Sequence, residues 1–290
     1  MCTAISYKTT HHYFGRNVDV ERGYHEGVVI TPRSYPLSFR YIESLEKHYA
    51  LIGTAIIIND YPLYFEATNE KGLSMAGLNF PDNAFYYPHA CEKENVAPFE
   101  LIPYLLGCCK SVSEAKNRLS NINVVHCNFS EDYPVTPLHW MISDKDASIT
   151  LECTKDGMTI YENPYGVLTN SPTFDFHLLN LKHSLLPLPG DFSSTSRFVK
   201  AVYVKEHSVC DGTEKESVNQ FFHILQSVAM PKGCVVTQAG EYQYTHYSSC
   251  CNTDTQVYYY TTYQNMAVRK VDMHDVDLDS AALYSFPMES

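Results

Sequence analysis

Basic residues are scarce: 21 Lys and Arg stand against 33 Asp and Glu, a formal net charge of −12. A surface of that sign repels phosphate, which argues against nucleic acid as a partner. No apolar run approaches the roughly 20 residues of a membrane-crossing helix. The longest, Ala50 to Ile58, is ended by Asn59, Asp60 and Pro62, so no membrane partner is expected. Low-complexity tracts and internal repeats are also missing. The 13 Gly and 15 Pro are scattered, so nothing marks a boundary and 1–290 reads as a single domain. Ten cysteines are present, but none are spaced Cys-x-x-Cys; Cys108-Cys109 and Cys250-Cys251 are adjacent pairs. Zinc needs wider spacing, so no metal and no cofactor is expected. Residues 1–8 lack a basic segment followed by an apolar one. The expectation is a chain without a signal peptide, working in the cytoplasm with its thiols reduced.

What is present is ordinary for a soluble enzyme: 44% hydrophobic and 19% charged residues. Residues 3–8 and 12–18 read as strands joined by a turn at Thr9-Thr10-His11. Three further strands are expected over 50–58, 63–68 and 73–78, separated by Asn59-Asp60 and by Asn69-Glu70-Lys71-Gly72. A helical stretch follows, with one helix over 98–106 kinked by Pro103 and another opened by the capping box Ser111-x-x-Glu114. Strands return over 138–143, 148–153 and 158–161. Helices are predicted over 193–205 and 213–229, the second with Val218, Phe221, Phe222, Leu225 and Val228 on one face. Strands close the chain over 242–248, 256–262 and 267–272. Short turns imply antiparallel pairing, and helices in blocks argue against a doubly wound parallel fold. Two antiparallel sheets packed together, with helices outside, satisfy this order.

The second residue carries the chemistry. Removal of Met1 would leave Cys2 with a free α-amine, putting a thiol and a base in one residue. An α-amine titrates near pH ~8 and a thiol near ~8.5, so one can take the other's proton at neutral pH. By itself Met-Cys also fits a plain early strand residue. The first hairpin adds weight: a turn centred near Thr10 pairs Cys2 with Val18, which puts Arg16 on the face of Cys2 and Asp19 beside the terminus. A guanidinium favours a thiolate, and a carboxylate orients an ammonium.

A set of motifs, in order along the chain, resembles the choloylglycine hydrolase family. They are Met1-Cys2-Thr3, Phe14-Gly15-Arg16-Asn17-x-Asp19, Asn69-Glu70-Lys71-Gly72-Leu73, Ala76-Gly77-Leu78-Asn79-Phe80-Pro81 and Leu138-His139-Trp140. Leu168-Thr169-Asn170-Ser171-Pro172-Thr173-Phe174-Asp175 and Leu188-Pro189-Gly190-Asp191-x-Ser193-Ser194-x-Ser196-Arg197-Phe198 complete the set. The resemblance implies an α+β fold, the four-layer αββα sandwich of N-terminal-nucleophile (Ntn) hydrolases. It implies Cys2 as nucleophile and its own amine as proton shuttle, with Arg16 against the thiol and Asp19 holding the amine. Asn170 and the backbone N–H of Asn79 would form the oxyanion hole, and Arg197 would brace the site. Taken without the resemblance, Asn79 and Asn170 read as turn formers and Arg197 as a solvated helix residue. His139 is read as structural.

The family contains bile salt hydrolases and penicillin V acylases. Asn79 in Gly-Leu-Asn-Phe-Pro is similar to the former, which implies hydrolysis of conjugated bile salts at the amide to glycine or taurine, with amine N-acyltransfer as a side branch. A penicillin V or other N-acyl amidase, and a silent bile-acid-binding relative, are the alternatives. Val18, Ile58 and Phe65 match apolar contacts to the steroid, and equally match core packing. One departure stands out. The 174–190 segment is shorter than family members usually carry, which puts a homo-tetramer in doubt.

Overall fold

The computed structural model describes residues 1–183 and 187–288. Two antiparallel sheets lie face to face. The first runs in the order Val167–Leu168, Cys2–Lys8, His12–Val20, Tyr242–Asn252, Val257–Thr262, Arg269–Asp272, with Val235–Val236 paired to Tyr242–Asn252 off that path. The second runs Gly157–Glu162, Ser148–Thr154, Leu138–Ser143, Ser74–Asn79, Tyr61–Asn69, Leu51–Ile58, Gly27–Thr31, Tyr284–Pro287. Leu101–Cys108 packs on the second sheet, and Ser194–Glu206 and Glu214–Gln226 pack on the first. The layers are therefore helix, sheet, sheet, helix, the α+β sandwich that the residue pattern and the resemblance both implied. Among the described residues no helix is long and apolar enough to cross a membrane.

This layering explains the first hairpin. Helices cover one face of Cys2–Lys8 and His12–Val20, and the second sheet covers the other. Burial is consequently almost continuous along both strands instead of alternating. Lys8 pairs with His12 and Cys2 with Val18, the register that a turn at Thr10 dictates. Gly15 allows the neighbouring strand to approach: a Cβ there would sit 2.0 Å from the Ser249 carbonyl oxygen.

Helix starts follow local chemistry. Ser111 Oγ accepts the Glu114 N–H, while the Glu114 carboxylate accepts from Lys110, one residue before the cap. Pro103 stands in the first turn of Leu101–Cys108, where a missing N–H costs little, and the residues ahead of it, Pro98–Glu100, form a 3-10 turn. Several elements escaped the sequence reading: strands Gly27–Thr31 and Tyr284–Pro287, helix Phe174–His183, and the two- and three-residue strands Glu94–Val96, Ile122–Val124, Val167–Leu168 and Val235–Val236. That helix occupies most of the shortened segment. The segment continues into residues 184–186, which lie outside the described residues.

Candidate active site

Cys2 opens the first strand and is 5% exposed. Pairing with Val18, and of Ala4 with Arg16, places Cys2, Val18 and Arg16 on the inner face, toward the second sheet. Asp19 falls on the opposite face. The Arg16 guanidinium meets the Cys2 thiol, and its Nη1 donates to the carbonyls of Phe65 at 3.0 Å and Gly77 at 2.6 Å. Phe65 is free to accept for a local reason: ladder pairing passes from Glu66–Thr54 to Tyr64–Ala55, leaving Phe65 as a β-bulge. Burial works against the Arg16 charge, but the Cys2 thiol, Glu66 and Tyr247 outweigh it and its pKa is raised.

Glu66 is the countercharge, and the sequence reading missed it. It is 2% exposed, with Oε2 3.9 Å from Arg16 Nε. Two tyrosines cross from the first sheet to reach it, Tyr247 donating to Oε2 at 2.9 Å and Tyr258 to Oε1 at 2.5 Å. Burial pushes the Glu66 carboxyl up, while Arg16 and the two hydroxyls pull the other way. A glutamate inside the largely apolar strand Tyr61–Asn69 was the one available signal.

The other face of the hairpin handles the terminus. The Met1 amino group donates to the Asp19 carbonyl, and Asp19 N–H donates to the Met1 carbonyl at 2.8 Å. Cys2 N–H donates to Asn170 Oδ1 at 2.6 Å. Arg197 ties these groups together: Nη1 donates to the Cys2 carbonyl and to Thr3 Oγ1 at 2.7 Å, and Nη2 donates to Asn170 Oδ1 at 2.8 Å. Burial lowers the Arg197 pKa, against the pull of Asp19 and Cys2. Asp19 Oδ1 accepts from Thr245 Oγ1 at 2.6 Å, and its Oδ2, buried and 3.8 Å from Arg197 Nη1, accepts no hydrogen bond. A bulge between Thr245 and Tyr247 sends these two side chains to opposite faces, one to Asp19 and the other to Glu66.

Asn170 and Asn79 meet directly, with Asn170 Nδ2 donating to the Asn79 carbonyl at 2.7 Å. Phe80 N–H donates to Pro137 O at 2.8 Å, so antiparallel alternation turns the Asn79 N–H away from the Leu138–Ser143 strand. Cys2, Arg16 and Asn79 sit at one wall of a cavity of 320 Å³. Its other walls are mainly apolar, with Val18, Leu63, Phe65 and Ile102 inside and Tyr24, Phe99, Phe129 and Tyr133 also lining it. Asp19, Asn170 and Arg197 are not among the lining residues, but Asn170 Nδ2 reaches the cavity's edge at Asn79. Of the three apolar residues the resemblance singled out, Val18 and Phe65 line the cavity and Ile58 does not; Ile56 takes its place. Ile58 points the same way but stands two residues nearer the turn, about 7 Å farther along the strand and beyond the cavity.

Comparison with known proteins places the fold and the family. The model of the family described as "Linear amide C-N hydrolases, choloylglycine hydrolase family" matches residues 2–184 and again 182–286. The break in the match falls in the shortened segment. A bile salt hydrolase/transferase of Lactiplantibacillus plantarum is 47% identical over 316 aligned positions, covering 100% of this chain and 98% of that protein. A conjugated bile acid hydrolase of Lactobacillus gasseri is 36% identical, covering 99% of this chain and 100% of the relative. Among solved structures, a mutant conjugated bile acid hydrolase from Clostridium perfringens superposes with a TM-score of 0.93 at 34% identity, covering 100% of this chain and 97% of that one. Penicillin V acylase from Agrobacterium tumefaciens shares the fold, with a TM-score of 0.84 at 20% identity over 99% of this chain and 91% of that one.

Proposed function

The chain belongs to the choloylglycine hydrolase family of linear amide C–N hydrolases, and from that premise we propose that it hydrolyses conjugated bile acids through Cys2. The single observation that carries this reading is the position of Cys2: first in its strand, against Arg16, at the wall of a mostly apolar cavity. Such a cavity suits a large rigid acyl group better than a polar one.

In the proposed reaction, removal of Met1 leaves the α-amine on Cys2. The amine takes the thiol proton and the sulfur attacks the amide carbonyl carbon. The oxyanion is held by the Asn79 N–H and Asn170 Nδ2, two donors that do not titrate. The ammonium then protonates the leaving nitrogen, the C–N bond breaks, and a thioester remains. A water molecule gives its proton to the same amine and attacks the thioester, releasing acid and thiol; an amine attacking instead would yield a new amide. The unpartnered Oδ2 of Asp19 supports a role in holding the ammonium, and Arg197 keeps Asn170 and the Cys2 carbonyl in place.

Within this reading the protein works in the cytoplasm as one Ntn-hydrolase domain. Release of glycine and taurine from conjugated bile salts, measured beside cleavage of phenoxymethylpenicillin, tests the substrate class. Faster penicillin cleavage would overturn it in favour of an acylase of smaller acyl groups. Binding without turnover, in protein shown by mass spectrometry to lack Met1, would select a silent binder.

A further inference from the structure

Behind the two oxyanion donors lies a fully buried ion pair that the reaction scheme leaves unused. His139 and Glu152 are both 0% exposed, with His139 Nδ1 3.0 Å from Glu152 Oε1. His139 Nε2 lies 2.7 Å from the Thr169 carbonyl oxygen, and the ring stacks on Phe80 with centroids 4.2 Å apart and planes 9° from parallel. Thr169 precedes Asn170 and Phe80 follows Asn79. One imidazole therefore touches the immediate neighbours of both donors.

The hydrogen bonds fix a proton count. A carbonyl oxygen only accepts, so His139 Nε2 bears a proton. A second proton must lie between Nδ1 and Oε1, because two lone pairs at 3.0 Å repel. The pair thus holds one proton more than a neutral imidazole facing a carboxylate. Glu152 Oε1 also accepts the Phe174 N–H at 3.0 Å, and Oε2 has no partner. A buried pair of this kind adds little stability compared with apolar packing. Its hydrogen bonds end on backbone atoms of one segment, Thr169 to Phe174. His177 reinforces that segment, its Nε2 donating to the Asn170 carbonyl at 2.8 Å, and Ser194 Oγ accepts the Asn170 N–H at 2.8 Å.

We propose that the doubly protonated His139–Glu152 pair, clamped between Phe80 and Thr169, is a positioning device that sets the spacing of the Asn79 and Asn170 oxyanion donors. The proposal rests on the reading of those two residues as the oxyanion hole. Glu152→Gln is the informative change. Without the carboxylate charge the buried ring keeps only its Nε2 proton. An amide oxygen at the Oε1 position would then accept from Phe174 but face the Nδ1 lone pair, and a nitrogen there would donate to Nδ1 but face the Phe174 N–H. Neither orientation keeps both bonds.

The test compares Glu152→Gln with Asn170→Ala in processed enzyme, reading kcat, KM and the rate of Cys2 alkylation by iodoacetamide. Alkylation develops no oxyanion, so it reports the thiol and the fold without the hole. Since loss of one donor costs ~100- to 1,000-fold, displacement of both should lower kcat by roughly 10- to 100-fold. KM and the alkylation rate should stay within about twofold of wild type if only the hole moves. Unchanged kcat in Glu152→Gln beside a large loss in Asn170→Ala would overturn the positioning role alone. Unchanged kcat in Asn170→Ala would overturn the oxyanion reading and the positioning role with it. Parallel loss of kcat and alkylation would make the pair merely structural and overturn the proposal. Should Glu152→Gln fail to fold, nitrogen-15 NMR of the wild-type enzyme decides: besides the Nε2 proton, a second proton coupled to His139 Nδ1, directly or across the bond to Glu152, is expected, and its absence overturns the proton count and the proposal with it.

Discussion

Arg16 Nε and Glu66 Oε2 lie 3.9 Å apart between the two sheets, each side chain 2% exposed. Removing one member of such a pair strands the other charge, which typically costs about 3–5 kcal/mol. Glu66→Gln should therefore destabilise the fold by about 3 kcal/mol and lower kcat/KM as the guanidinium loses its anchor. Urea unfolding and steady-state kinetics check this; a variant as stable as wild type would show that Arg16 is held by the Phe65 and Gly77 carbonyls alone.

Cys2→Ala should abolish turnover in protein lacking Met1 without changing the free energy of unfolding by more than about 1 kcal/mol, because a small residue replaces a small one. Residual amide cleavage above background, followed by glycine release, would remove the thioester mechanism.

The two isoleucines of Leu51–Ile58 offer a paired test of the cavity. Ile56→Ala removes apolar wall worth about 1–2 kcal/mol of acyl contact and should raise KM roughly tenfold. Ile58→Ala should leave KM within a factor of two, since Ile58 lies outside the cavity. Equal effects in the two variants would misplace the acyl group.

Acid should weaken the fold through His12. Burial lowers its pKa to about 4, with Asp144 and Asp254 opposing; Ser6, Ser143 and Thr253 surround its ring nitrogens. Its unfolded pKa is near ~6.5, so the folded state favours the neutral ring. The contribution is complete above that value and is lost as pH falls from ~6.5 to about 4, on the order of 2–3 kcal/mol. Urea midpoints at pH 7 and 4.5 should diverge less in His12→Gln than in wild type. An identical divergence would assign the acid loss elsewhere, His177 being the other histidine that burial lowers to about 4.

Local interactions were the legible ones. The register of the first hairpin follows from a three-residue turn, so Cys2, Arg16 and Asp19 could be placed on their faces from the chain alone. Asn79, Asn170 and Arg197 came only through the motif resemblance, because nothing near them in sequence separates a site residue from a turn former or a solvated helix residue. Glu66 with Tyr247 and Tyr258 was out of reach, joining positions 181 and 192 residues apart. Gly27–Thr31 is buried throughout and lacks the period-two pattern that marks a half-exposed strand. Phe174–His183 buries only Phe174, His177 and Leu181, too thin a stripe to announce a helix.

The irregular step at His246 has a topological consequence. In a regular strand Thr245 and Tyr247 would face the same way, and one of the two clusters flanking Cys2 would lose a hydroxyl donor. His246 is the inserted residue: with it deleted, Thr245 and Tyr247 would be neighbours on a regular strand and still face opposite ways, whereas regular alternation through all three residues would turn both hydroxyls to the same side of the nucleophile.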